Sequence, residues 1–196
     1  NHLKAIINVI NEEKIEEIKK IRDKAIILVG FGGGFRRTEL TSIDHEDLEF
    51  VTEGVKITIK RSKTDQFGEG MTKGLPYFAN ETYCPVTHLK KWIEISNIKD
   101  GPIFRRFAKG CSLTSSRLTD QSVVLLIKKY LELAGIENKN YSGHSLRSGF
   151  ATVSAESGAD ERSIMAMTGH KTIQMVRRYI KEANLFKNNA LNKIKI

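Results

Sequence analysis

His144-Ser145-Leu146-Arg147-Ser148-Gly149-Phe150-Ala151-Thr152 opens a stretch that divides into three helical pieces, and its reading decides the architecture of the second half of the chain. The apolar spacing predicts helices over 145–157, 160–167 and 172–182, with Gly158 and Gly169 as the breaks between them. His144 and Arg147 stand three apart, which on a helix places both on one face. An imidazole exchanges a proton near neutrality, and a guanidinium offers a planar fork matched to two phosphoryl oxygens. A surface helix with a capping His and a salt-bridged Arg carries the same pair, so the pair points to phosphate chemistry only in company.

That company follows in Gly169-His170 and, on the last predicted helix, Arg177-Arg178-Tyr179. Nine helical residues rise about 13 Å, so a turn must fold His170 back if it is to meet Tyr179. A phenol with an ordinary pKa of about 10 becomes a nucleophile towards phosphate only when the phosphate charge is neutralised and the proton has somewhere to go. Arginines and histidines meet those two needs. Upstream, Gly34-Phe35-Arg36-Arg37-Thr38-Glu39-Leu40 sets Arg36 at a predicted helix start, where free amides also favour anions, and Glu39 where it can orient an arginine or histidine. Arg61-Ser62-Lys63-Thr64-Asp65-Gln66-Phe67-Gly68 sets Lys63 at a hairpin turn, from which a lysine can protonate a leaving alkoxide. Each residue alone has a bland alternative: a helix salt bridge for Glu39, a solvated loop cation for Lys63, a half-buried amphipathic residue for Tyr179.

Working towards the amino terminus, helical spacing is expected from Leu3 to Ile10 and again from about Lys20 to Val29, ended by the glycines at 30, 32, 33 and 34. A short helix over 37–43 leads to strands at 48–51 and 55–60, and a third near 75–78. Pro85 starts a helix carrying Leu89, Trp92 and Ile93, and Thr119 caps a long one over 120–134 that Gly135 stops. The expected class is mainly α with a small antiparallel β-sheet.

The charge distribution agrees with a polyanionic partner. The formal net charge is +9 over 196 residues; residues 1–100 hold 16 Lys/Arg against 16 Asp/Glu, and residues 101–196 hold 16 against 7. A basic field of this kind attracts nucleic acid and speeds encounter, although it also simply confers solubility. Two cysteines are too few to staple such a chain, which favours a reducing compartment. Cys84 and His88 lack the further ligands of a zinc site. Gly30-Phe31-Gly32-Gly33-Gly34-Phe35 fails the dinucleotide pattern at Phe35, and no Gly-Lys-Ser/Thr follows for a P-loop. No cofactor, no metal and no membrane span are expected.

Taken as an ordered set, these residues resemble the catalytic domain of the tyrosine recombinases, the phage-integrase family. The family's first arginine and its carboxylate fall on Arg36 and Glu39, its hairpin lysine on Lys63, its His-x-x-Arg box on His144 and Arg147, its later His/Trp position on His170, and its nucleophile on Tyr179. Phe35 stands where Leu is frequent, and Met175-Val176 where small polar residues are. The resemblance implies attack of Tyr179 on a DNA phosphodiester to give a 3′-phosphotyrosyl link and a free 5′-hydroxyl, then strand exchange and religation. In that scheme Arg36, Arg147 and His170 stabilise the phosphate, Lys63 is the acid, His144 assists proton transfer and Glu39 supports. The implied partner is double-stranded DNA, with self-association on it into a tetrameric synapse, in a prokaryotic cytoplasm. A type IB topoisomerase, a DNA-binding module with a dead site and a metal-dependent nuclease are the competing readings.

The implied organisation is a catalytic domain over 1–184, without the family's upstream core-binding domain, and a helical tail over 185–196. In that tail Phe186, Ala190, Leu191 and Ile194 gather on one side of a short helix that must pack somewhere, against its own domain or, as the resemblance favours, on a neighbouring protomer.

Overall fold

The computed structural model describes residues 2–60, 70–139 and 141–184. Helix α1 (His2–Glu12) is followed by α2 (Glu17–Gly32), whose buried set Ile21, Ala25, Ile26, Ile27, Leu28 and Val29 covers every side of the helix. A helix apolar all round belongs at the centre of a core. Accordingly α1, α3 (Arg37–Ser42), α4 (Pro85–Ser96), α5 (Asp120–Leu133) and α6 (Ser145–Glu156) all pack against it. Two more helices, α7 (Glu161–Thr168) and α8 (Ile173–Asn184), pack on α6 around a smaller cluster of Ala151, Ala155, Ile164 and Val176.

The expected sheet is present as β1 (Leu48–Val51), β2 (Gly54–Ile59) and β3 (Met71–Pro76), antiparallel in that order. β3 lies earlier than the sequence suggests, because its register against β2 pairs Ile57 with Lys73 and Val55 with Leu75, leaving Tyr77 and Phe78 beyond the strand. β2 and β3 alternate, with Val55, Ile57, Ile59, Lys73 and Leu75 turned to the core. A second ribbon, β4 (Arg105–Phe107) with β5 (Leu113–Arg117), was not expected: its strands are too short and polar to show a period-2 apolar signal. Thr119 caps α5 by accepting from Ser122 N, and Asp160 caps α7 by accepting from Arg162 N and Ser163 N. Among the described residues no helix is long and apolar enough to cross a membrane. Lys63 and the 185–196 tail lie outside the described residues.

Candidate active site

The site forms where the end of α2, the start of α3, the start of α6 and the turn from α7 to α8 converge. α2 runs through Gly30 to Gly32, later than expected, since Gly30 is a buried helical residue. A Cβ at Gly30 would stand 2.6 Å from Leu146 Cδ1 and 2.9 Å from Leu40 Cδ2, so the bare backbone lets α3 and α6 close in on α2. Gly34 then takes φ +54 beside Phe150 and Thr168, a conformation and a proximity that a side chain would strain. The chain leaves this turn at Arg36, the N-cap residue of α3.

Glu39 sits within the first turn of α3 and is 2% exposed. Its Oε2 accepts from Arg36 N at 3.0 Å, and its Oε1 accepts from Arg36 Nη1. The same carboxylate faces Lys73 Nζ at 3.8 Å. Arg36 Nη2 reaches across to Gly169 O at 3.4 Å, tying α3 to the turn before His170. Arg147, in the first turn of α6, is buried and points Nη1 at Gly34 O, 3.5 Å away. Burial and the neighbouring Arg36 charge lower its pKa to about 10, against the opposing effects of Glu39 and Tyr179. Arg36 and Arg147 thus share one field with too little negative charge around it, as an anion-binding pocket requires.

His170 lies half-buried after Gly169, whose φ of +63 ends α7 and turns the chain back. Its ring centroid is 6.0 Å from that of Tyr179. Burial, then Arg147 and Arg36, depress its pKa to about 4, so the imidazole is neutral near pH 7. Thr168 Oγ1 donates to Ile164 O at 2.6 Å and lies 2.7 Å from His170 Nδ1. With the hydroxyl proton engaged, Nδ1–H must be the donor in the latter bond, which leaves Nε2 with a free lone pair. The free site therefore offers an acceptor where the sequence reading expects a donor.

Tyr179 is half-buried on α8 and packs against the cluster of α6 and α7. Val176, three residues earlier, is fully buried and fixes the rotation of the helix, while Met175 is exposed. That rotation turns the two arginines of α8 away: Arg177 pairs with Glu161 at 2.9 Å and Arg178 with Glu182 at 3.2 Å. Arg37 likewise points elsewhere, to Asp120 at 3.0 Å.

Arg36, Glu39, Arg147, His170 and Tyr179 are thus brought together. His144 is placed differently from the sequence reading: it is the N-cap residue of α6, exposed, with no side-chain capping bond, so it stands at the rim. Sequence reasoning missed Lys73 and Thr168. A lysine in the apolar phase of a strand pattern was the available signal for the first; a hydroxyl two residues before His170 carries none.

Several comparisons bear on this geometry. A family model described as "Phage integrase family" matches residues 1–185. The "Integrase/recombinase xerD homolog" of Selenomonas ruminantium is 46% identical over 179 residues, covering 91% of this chain and 52% of that protein. "Tyrosine recombinase XerC" of Syntrophus aciditrophicus is 28% identical over 177 residues, covering 84% and 50%. The chain spans about half the length of these curated relatives. Among solved structures, XerH site-specific recombinase in its post-cleavage complex with palindromic difH substrate superposes with a TM-score of 0.71 at 20% identity, covering 96% of this chain and 52% of that one. A lambda integrase (75–356) dimer bound to a COC′ core site superposes at 0.61 and 16% identity, covering 89% and 57%. These two likenesses establish a shared fold.

Proposed function

Because the chain belongs to the phage integrase family, we propose that it is the catalytic domain of a site-specific DNA recombinase that breaks and rejoins double-stranded DNA through Tyr179. The observation that carries this reading is the convergence of Arg36, Arg147 and His170 on Tyr179 from separate helices and turns, in a pocket whose cations outnumber its carboxylate.

In the reaction the Tyr179 Oη–P bond forms as the P–O5′ bond breaks, giving a 3′-phosphotyrosyl ester. His170 Nε2, unprotonated in the free protein and beside the phenol, is suited to take the phenolic proton. The resulting imidazolium joins Arg36 and Arg147 in holding the charge that gathers on the nonbridging oxygens. Lys63 supplies a proton to the departing 5′-oxygen, and His144 contacts the phosphate from the rim. Glu39 keeps Arg36 in place. A 5′-hydroxyl of a second strand reverses the same steps, so the ester conserves the phosphodiester and the logic calls for neither metal nor nucleotide cofactor. Exchange between two duplexes takes four such cuts, for which self-association into a tetrameric synapse on DNA is the assembly proposed, acting in a prokaryotic cytoplasm. Residues 1–184 form the breaking and rejoining unit and 185–196 a tail able to dock on a neighbouring protomer.

The test is to trap the protein on DNA nicked near the scissile phosphate and map the attached residue. Wild type should give a denaturant-stable adduct at Tyr179, and Tyr179→Phe should give none while binding DNA within a small factor of wild type. A protease-sensitive adduct formed by the Phe variant refutes the assignment.

A further inference from the structure

Lys73 handles no phosphate in the scheme above, yet the fold buries it directly beneath the residues that do. β3 turns Lys73 to the core between Met71 and Leu75, opposite Ile57, where an aliphatic residue would continue the pattern. Only 2% of it is exposed. An ammonium so placed is costly unless it is paired and hydrogen-bonded. Among the described residues, the partners of its side chain belong to the one segment that carries Arg36: Nζ donates to Gly33 O at 2.9 Å, lies 4.3 Å from the Phe35 ring centroid, and stands 3.8 Å from Glu39 Oε2. Arg147 Nη1 points to the next carbonyl of the same segment, Gly34 O.

We propose that Lys73 is a positioning residue for phosphate recognition: its ammonium anchors the Gly33 carbonyl and the Glu39 carboxylate, and through them it fixes the guanidinium of Arg36. The proposal rests on the recombinase reading. Burial lowers the Lys73 pKa to about 8, Glu39 opposes that shift, and Arg147 and Arg36 add to it, so the group is still mostly charged at neutral pH.

The experiment uses the intact protein and Lys73→Met, which preserves length and removes charge. Single-turnover formation of the covalent complex is measured on nicked DNA with an ordinary scissile phosphate and with a methylphosphonate there, which lacks the charged nonbridging oxygen. Loss of a direct donor to a developing oxyanion costs roughly 100- to 1,000-fold, so an indirect one should cost about tenfold to a hundredfold on the phosphodiester. On the methylphosphonate, where Arg36 has no charge to neutralise, the penalty should fall to a small factor. Equal penalties on both substrates would make Lys73 a purely structural residue and overturn the proposal. Should Lys73→Met fold poorly, the pair Glu39→Gln/Lys73→Met is compared with Glu39→Gln instead: acting through Glu39, Lys73 should add little to the loss seen in Glu39→Gln alone, and a further loss of about tenfold or more in the pair overturns the proposal. A wild type that forms no adduct refutes the recombinase reading itself, whereas a wild-type adduct with no selective Lys73 penalty refutes only the inference about Lys73.

Discussion

Replacing Glu39 by Gln preserves the side-chain shape and removes the negative charge that faces Arg36 and Lys73 and lies in the field of Arg147. Taking away one partner of a buried ion pair costs about 3–5 kcal/mol. The lower end applies, because the Arg36 side chain is still 15% exposed and a Gln oxygen can keep one hydrogen bond. The expected loss is therefore roughly 3 kcal/mol near pH 7, which for a chain of this size lowers Tm by about 6–12 °C. The pH dependence has a definite sign. The folded Lys73 pKa of about 8 lies below its ordinary 10.5, so between those values the unfolded chain holds the proton more tightly and this group makes stability rise with pH. Without Glu39 the folded pKa falls further, and Lys73 sheds its charge at lower pH. The deficit of the Gln variant should consequently be largest on the acid side of pH 8 and shrink as both proteins come to hold Lys73 neutral. Urea unfolding of both proteins from pH 6 to 9.5, in reductant because Cys84 and Cys111 are free thiols, measures it. A Gln variant as stable as wild type at pH 7, or a deficit that grows with pH, would refute the charge balance inferred for this pocket.

Two further outcomes are expected. Lys63→Ala should slow cleavage of ordinary DNA but do much less harm when the 5′-bridging oxygen is replaced by sulfur, a leaving group that needs little protonation; equal losses on both substrates would make Lys63 a binding residue. Deleting residues 185–196 should reduce DNA-dependent association and recombination with little change in monomer melting if the tail docks in trans, since Phe186, Leu191 and Ile194 would each contribute roughly 1.5–3 kcal/mol on burial; a large loss of monomer stability would instead place the tail on its own domain.

Local pattern made most of the helices legible. Apolar recurrence at a period near 3.6, a capping residue such as Thr119, and breaking glycines such as Gly135, Gly158 and Gly169 act within a few residues of where they stand. The order of Arg36, Glu39, Arg147, His170 and Tyr179 along the chain was equally plain, because the first four stand beside a glycine or in the first turn of a helix that the sequence displays and Tyr179 follows His170 at a fixed spacing of nine residues. What only the tertiary structure decided is the direction in which charged side chains face. Arg177, Arg178 and Tyr179 are neighbours on one helix, and the burial of Val176 against α6 and α7 sends the two arginines to Glu161 and Glu182 while Tyr179 packs beside His170. Lys73 reads as an ordinary strand lysine until the register against β2 turns it inward onto Gly33 and Glu39. A sequence period specifies which residues share a face, but the face that ends up buried is chosen by partners distant in the chain, and for a lysine or arginine that choice separates a solvated cation from one that shapes the site.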